Sequence, residues 1–174
     1  MDKQLQRSDA DLVEAACDGD VDSFRCLYEK HYRLAVGIAH SRLRDRHLAE
    51  DAAQETFTFA CRNLHTLRRP DRFPEWLGTI CRRTASKLSP RQNKGMPLQD
   101  QQCGQRCEKE SARAALREAL EKLPISYREV LTLHYFSGMS YEEIAIALSI
   151  SCQAVHGRMQ RARKTLARYL SNET

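Results

Sequence analysis

Glu50, Asp51, Gln54 and Glu55 crowd one short stretch of the chain. Residues three and four apart share a face of a helix. Carboxylates at this density could ligate a divalent metal, work as an acid–base pair, or grip a basic protein surface. No positioned histidine and no phosphate-cradling glycine loop accompanies them, so metal duty is the weakest reading; an exposed acidic face and a docking face both stay open. Cys103 and Cys107 offer another pair of ligand atoms, but no neighbouring Cys or His completes a tetrahedral site. A third set lies near the C-terminus, where Gln153, Gln160 and Lys164 are flanked by His156 and Arg161. Glutamine donates and accepts at an adenine edge, and arginine grips guanine or phosphate. This set suits nucleic acid rather than catalysis.

The elements that must carry these residues are helices. Nothing alternates with period two over a useful length, and β-branched residues are sparse. Ser8 followed by Asp11 reads as a capping box, opening a short helix that Gly19 stops. Asp20 or Asp22 then caps a longer helix with Phe24, Leu27, Tyr28, Leu34, Ala35 and Ile38 inward. Beyond the corner Arg44-Asp45-Arg46, a third helix turns Leu48, Ala52, Thr56 and Phe59 to one face. A basic loop leads into a fourth helix with Phe73, Trp76, Leu77, Ile80 and Thr84 inward. Phe73 and Trp76 could stack on unpaired bases, but their helical spacing favours core packing. Cys17, Cys26, Cys61 and Cys81 sit among helix formers and read as small buried hydrophobes.

Composition shifts after the fourth helix. The stretch 89–109 holds Pro90, Gly95, Pro97 and Gly104 among many glutamines, with no apolar period, and reads as a linker. A second helical set follows: Ala112 to Leu123, Tyr127 to Tyr135, Ser140 to Leu148, and Cys152 to about Leu170. Within it, Ser140 and Glu143 form a capping box, and Ile144, Ala145 and Leu148 face inward. Ser149-Ile150-Ser151 makes a turn with Ile150 as its plug, and Ser151 caps a last helix whose inward positions are Val155, Met159, Ala162 and Leu166. This is the pattern of a helix-turn-helix, which holds its second helix steeply across the first and still lets it protrude into a groove. Gly157 lies mid-helix, either admitting a phosphate close to the backbone or simply tolerated at a cost of about 1 kcal/mol against Ala.

Charge is segregated along the 174 residues, whose formal net charge is +5. Residues 1–24 carry two cations against seven acids, whereas 62–94 carry nine cations against Asp71 and Glu75. Residues 158–174 hold five cations and one acid. Basic stretches of this kind suit a nucleic-acid backbone. No apolar run approaches the ~20 residues of a membrane span, and the acidic N-terminus lacks the apolar core of a signal peptide, so a cytoplasmic protein is expected.

Several motifs together resemble the extracytoplasmic-function (ECF) sigma factors of the sigma-70 family. Ala49-Glu50-Asp51-Ala52-Ala53-Gln54-Glu55-Thr56-Phe57 is similar to the core-binding signature of region two, and Phe73 to Arg82 to the helix that follows it. Leu123-Pro124 through Tyr135, Ser140 through Ala145, and Arg158 to Arg163 resemble region four. The resemblance implies an all-α fold of two small helical domains: region two over 1–88, a linker over 89–109, and region four over 110–174. It implies docking of Asp51, Gln54, Glu55 and Phe57 on the clamp coiled coil of the largest subunit of core RNA polymerase, with region four reaching the flap. His65, Arg68, Arg69, Arg72, Trp76, Arg82, Arg83 and Lys87 would serve the minus-ten element, with the loop from His65 to Arg72 holding an extruded base. Ser151, Gln153, His156, Arg158, Gln160, Arg161, Arg163 and Lys164 would read the minus-thirty-five element as duplex.

Promoter DNA and an anti-sigma protein are the other implied partners; no cofactor, metal or catalytic residue is implied. The sequence also departs from the pattern. Arg83-Thr-Ala-Ser-Lys87 stands where Asn and Asp are usual, and His156-Gly157 replaces a Lys-Ser pair. A self-sufficient helix-turn-helix regulator is the alternative, and a metal-dependent hydrolase using Glu50, Asp51 and Glu55 is a third reading with no nucleophile–base pairing behind it.

Overall fold

The structure, a computed structural model, describes residues 7–89 and 107–171. Helix α1 (Asp9–Cys17) opens on the expected box: the Ser8 hydroxyl accepts from the Asp11 amide while the Asp11 carboxylate takes the Ser8 amide. It stops at Gly19, whose φ of 98° only glycine adopts without strain. Helix α2 (Val21–Leu43) starts from Asp20 and ends at Arg44 in the left-handed region. Its 23 residues make a rod of roughly 35 Å at 1.5 Å per residue, the spine of the molecule.

Asp45 caps α3 (Arg46–Asn63) through the Leu48 amide at 2.8 Å. The inner face of α3 is built of Ala49, Ala52, Ala53 and Ala60, all fully buried, with Thr56 and Phe57. Side chains this small let α3 lie close against α2 and α4. Phe59, expected inward, is instead 51% exposed, and Phe57 takes the buried position. The helical period, started from Ala49 rather than Leu48, explains the difference. Two 3-10 turns, Leu64–Thr66 and Pro70–Arg72, connect to α4 (Phe73–Leu88). There Phe73, Leu77, Ile80 and Thr84 are buried as expected, and Trp76 is half-buried. Of the cysteines read as buried, Cys26 and Cys81 are, but Cys17 and Cys61 are exposed.

The second set begins earlier than its sequence suggests. Helix α5 (Cys107–Lys122) already includes Cys107, which composition had assigned to the linker; Cys103 lies outside the described residues. Helix α6 (Ile125–Leu131) runs into a wide π-turn over Thr132–Phe136, closed by Gly138 at a φ of 69°. The single helix expected to reach Tyr135 is therefore an α-helix and a π-turn. Helices α7 (Tyr141–Leu148) and α8 (Cys152–Ser171) complete the chain. Ile144, Val155, Met159 and Ala162 are buried between them, while Leu148, Ile150 and Leu166 are partly covered. Ile150 is thus a half-buried plug rather than a fully enclosed one.

The two sets are not separate beads. Helices α2 and α4 pack against α6, the π-turn and α7, so one continuous core runs from Leu12 to Ala162.

Candidate nucleic-acid and partner interfaces

On α3 the alanine face points inward and leaves Asp51, Gln54 and Glu55 exposed on the opposite side with Thr58, Phe59 and Arg62. Phe57 does not join them. It is 3% exposed and packs against Tyr28 with ring centroids 4.7 Å apart, so it supports the outer face from beneath. Arg46 reaches Glu50 at 2.9 Å on the same flank. Among the described residues no group of His, Cys, Asp and Glu could hold a metal ion.

The loop between α3 and α4 forms a shallow, solvent-open cleft of about 390 Å³, lined by Leu67, Arg68, Arg69, Arg72, Trp76 and, from the second helical set, Ser149. Arg69 grips Asp71 through two nitrogens, at 3.3 and 2.8 Å, and this pairing holds the Asp71 carboxyl below the usual carboxylate range. Arg72 meets Glu75 at 3.3 Å. These local pairs add to the two 3-10 turns of the loop, the second of which packs against α1. Arg68, Arg69 and Arg72 are exposed at the rim, and Trp76 supplies an apolar wall; His65 is exposed but does not line the cleft. Arg83 and Lys87 extend the basic surface along α4. Arg82 behaves differently: it turns to the second helical set, bonding Glu129 at 3.1 Å.

The helix-turn-helix is assembled as its residues require. Ser140 and Glu143 close the capping box of α7, at 3.2 and 2.7 Å. Ser149 ends that helix with a φ of 54°, and the Ile150 amide bonds back to the Ala145 carbonyl at 3.0 Å. The Ser151 hydroxyl then accepts from the Ala154 amide at 3.1 Å and starts α8. With Val155, Met159 and Ala162 committed to the core, Gln153, His156, Gln160, Arg161, Arg163 and Lys164 lie on the outside; Arg158 is half-buried.

Two aromatic residues outside the sequence-based set hold this face in place. Tyr141 meets the His156 ring edge-on at 4.4 Å and lies 3.4 Å from Arg163 through its hydroxyl, and Arg163 also covers the Tyr135 ring at 5.7 Å. Around Gly157 an added Cβ would meet only the tip of the flexible Arg161 side chain, at 3.4 Å, so no protein contact requires glycine there.

Comparisons with known proteins agree with these two assemblies. Residues 27–94 match the family described as Sigma-70 region 2, and residues 113–166 match Sigma-70, region 4. RNA polymerase sigma factor YlaC of Bacillus subtilis is 30% identical over 164 residues, covering 86% of this chain and 93% of that protein. The RNA polymerase sigma-H factor of Pseudomonas aeruginosa is 28% identical over 183 residues, covering 95% of each. Among solved structures, CnrH in complex with the cytosolic domain of CnrY superposes with a TM-score of 0.67 at 29% identity, covering 97% of this chain and 100% of that one.

The chain belongs to the ECF RNA polymerase sigma factors of the sigma-70 family. Members of this family are non-catalytic initiation factors that direct RNA polymerase to promoters. Among the described residues no helix is long and apolar enough to cross a membrane.

Proposed function

We propose that this chain acts in the cytoplasm, binding core RNA polymerase through the exposed face of α3 and delivering it to promoters that it reads at two places. Region two, 1–88, would carry Asp51, Gln54 and Glu55 against the clamp of the largest subunit. Its cleft would receive one unstacked base of the minus-ten element against Trp76, with Arg68, Arg69 and Arg72 on the backbone. Flipping a base costs a few kcal/mol, so a pocket stiffened before binding must return that much. Arg83 and Lys87 would hold the strand beyond it. Region four, 110–174, would place α8 in the major groove at the minus-thirty-five element, where Gln153 and Gln160 face base edges. Arg161, Arg163 and Lys164 would face phosphates.

The chain itself would perform no chemistry. The observation that supports this reading is that the basic cleft and the exposed polar face of α8 lie on different helical sets of one chain that also exposes the acidic face of α3. A solved relative is held by the cytosolic domain of CnrY, which supports an anti-sigma protein as a further partner.

The docking face is tested by pull-down with core polymerase. Asp51→Arg combined with Gln54→Ala should reduce association at least tenfold and abolish promoter-dependent RNA synthesis. Unchanged association would remove α3 from the polymerase interface.

A further inference from the structure

Most of the seam between the two helical sets is satisfied. Gly37 lies hard against Ser137, whose Oγ an added Cβ would strike, and that Oγ donates to the Arg33 carbonyl at 3.0 Å. Glu129 is 6% exposed, and a carboxylate that deep is tolerated only when paired; Arg82 pairs it at 3.1 Å. One end of the seam is different. Arg128, the residue before Glu129 on α6, is nearly as deep at 8% exposure, yet its Nε and Nη1 have no hydrogen-bond partner among the described residues. Beside it at the end of α2 are Arg44 and Arg42, and the buried Nε of Arg42 is likewise unpartnered. Among the described residues Glu121 of α5 is the carboxylate that acts on Arg128, but it meets Arg44 Nη1 at 3.4 Å and gives Arg128 no bond. The carboxylates adjacent in sequence are engaged elsewhere, Asp45 as the cap of α3 and Glu129 with Arg82.

Helix ends do not account for this cluster. Cations in the last turn of α2 complement its dipole, but that supplies no acceptor to a buried guanidinium, and Arg128 belongs to another helix. Burial first, then Arg44 and Arg42, work against the charge of Arg128 where it stands. Arg44 adds strain, because it closes α2 at a φ of 58°, a left-handed corner where glycine is usual. Three guanidiniums against one carboxylate leave a local surplus of two positive charges. Each guanidinium is a planar fork of donors that matches the oxygens of a phosphate group. Such a group carries about −1.5 to −2 at neutral pH, close to the surplus it would meet.

We propose that Arg42, Arg44 and Arg128 form a binding site for a small phosphate-bearing anion, with Arg128 as its floor and Arg44 at its mouth. The ligand would give Arg128 Nε and Nη1 and Arg42 Nε the acceptors they lack. Arg44 and Glu121 are both exposed, so the site opens to solvent at that edge. Glu121 competes with the ligand for Arg44. The site shares no residue with the basic cleft or the outer face of α8, and it does not rest on the function proposed above.

Isothermal titration of the full-length chain with inorganic phosphate, pyrophosphate and adenosine triphosphate tests the site, with ionic strength held constant by chloride. Saturable one-to-one binding in the submillimolar range is expected. The tightest of the three identifies the source of the phosphate group, and any of them supports the site. Arg44→Gly should keep or raise the thermal midpoint, since glycine suits the corner, and still weaken binding by about tenfold or more. Arg128→Met, which replaces an unpaired buried charge by an apolar chain, should do the same. Glu121→Gln should bind roughly threefold tighter. Circular dichroism identifies a variant that has lost helix; Arg44→Gly, at the exposed position, decides if Arg128→Met is such a variant. No saturable binding of any of the three anions would overturn the site, and so would wild-type affinity in either folded variant, which would place the anion on the basic cleft or on α8 instead.

Discussion

Asp9 ties the first helix to the second: His31 Nε2 lies 3.0 Å from one carboxylate oxygen and Lys30 Nζ 2.7 Å from the other. Burial opposes ionisation at this site, yet the His31 and Lys30 contacts outweigh it and hold the Asp9 carboxyl at about 2. Because the folded value lies below the unfolded one near 3.9, the contribution is present in full above that value and is lost as pH falls toward 2. Asp9→Asn should therefore lower stability by about 2 kcal/mol at neutral pH, with the gap to wild type closing between pH 4 and pH 2 in denaturant titrations. A constant gap across that window would show that packing, not charge, is what Asp9 provides.

Cys81 shows the same physics on a thiol. Burial pushes it up to about 11, and its sulfur donates to the Ala35 carbonyl, so it stays protonated as a core group.

Helices in this chain are set by their ends as much as by their faces. Helix α7 has only eight residues, too short to stand alone, and depends on the Ser140–Glu143 box at its start and the Ser149 corner at its end. Ser140→Ala should cost about 1 kcal/mol, seen as a fall of ~2–4 °C in the thermal midpoint of the whole chain, whose two helical sets share one core. An unshifted midpoint would mean that packing against α8 alone positions α7. The same local logic makes the outward face of α8 predictable. Once Val155, Met159 and Ala162 are drawn inward at steps of four and three, the intervening polar residues have nowhere else to point.

Across the whole molecule, charge sets the partner. In the proposed function the basic cleft and α8 both address nucleic acid, so binding to promoter duplex should be strongly dependent on salt. With ~5 phosphate contacts from α8, log affinity should fall against log salt with a slope near −4 to −5 in a titration of polymerase-bound chain on minus-thirty-five duplex. A flat titration would remove Arg161, Arg163 and Lys164 from the phosphate contacts.

Caps, helical periods and segregated charge are local properties, written over at most a few turns of chain. For that reason the four-plus-four helical plan, the polar stretch between its halves, the capping boxes at Ser8 and Ser140, the helix-turn-helix, and the exposed positions of Asp51, Gln54 and Glu55 were legible in the residues alone. The start of α5 at Cys107 and the π-turn after Leu131 were not, since a polar composition does not forbid helix and a periodic one does not exclude a widened turn. The exchange between Phe57 and Phe59 turned on a phase error of one residue, which a row of small alanines does little to correct.

The seam was hidden for a deeper reason. Gly37, Ser137, Arg82 and Glu129 lie far apart in sequence, and nothing in their own neighbourhoods marks them as partners. Non-local contacts are chosen by which surfaces the folded domains leave available, and that choice exists only once α2, α4 and the π-turn have been built.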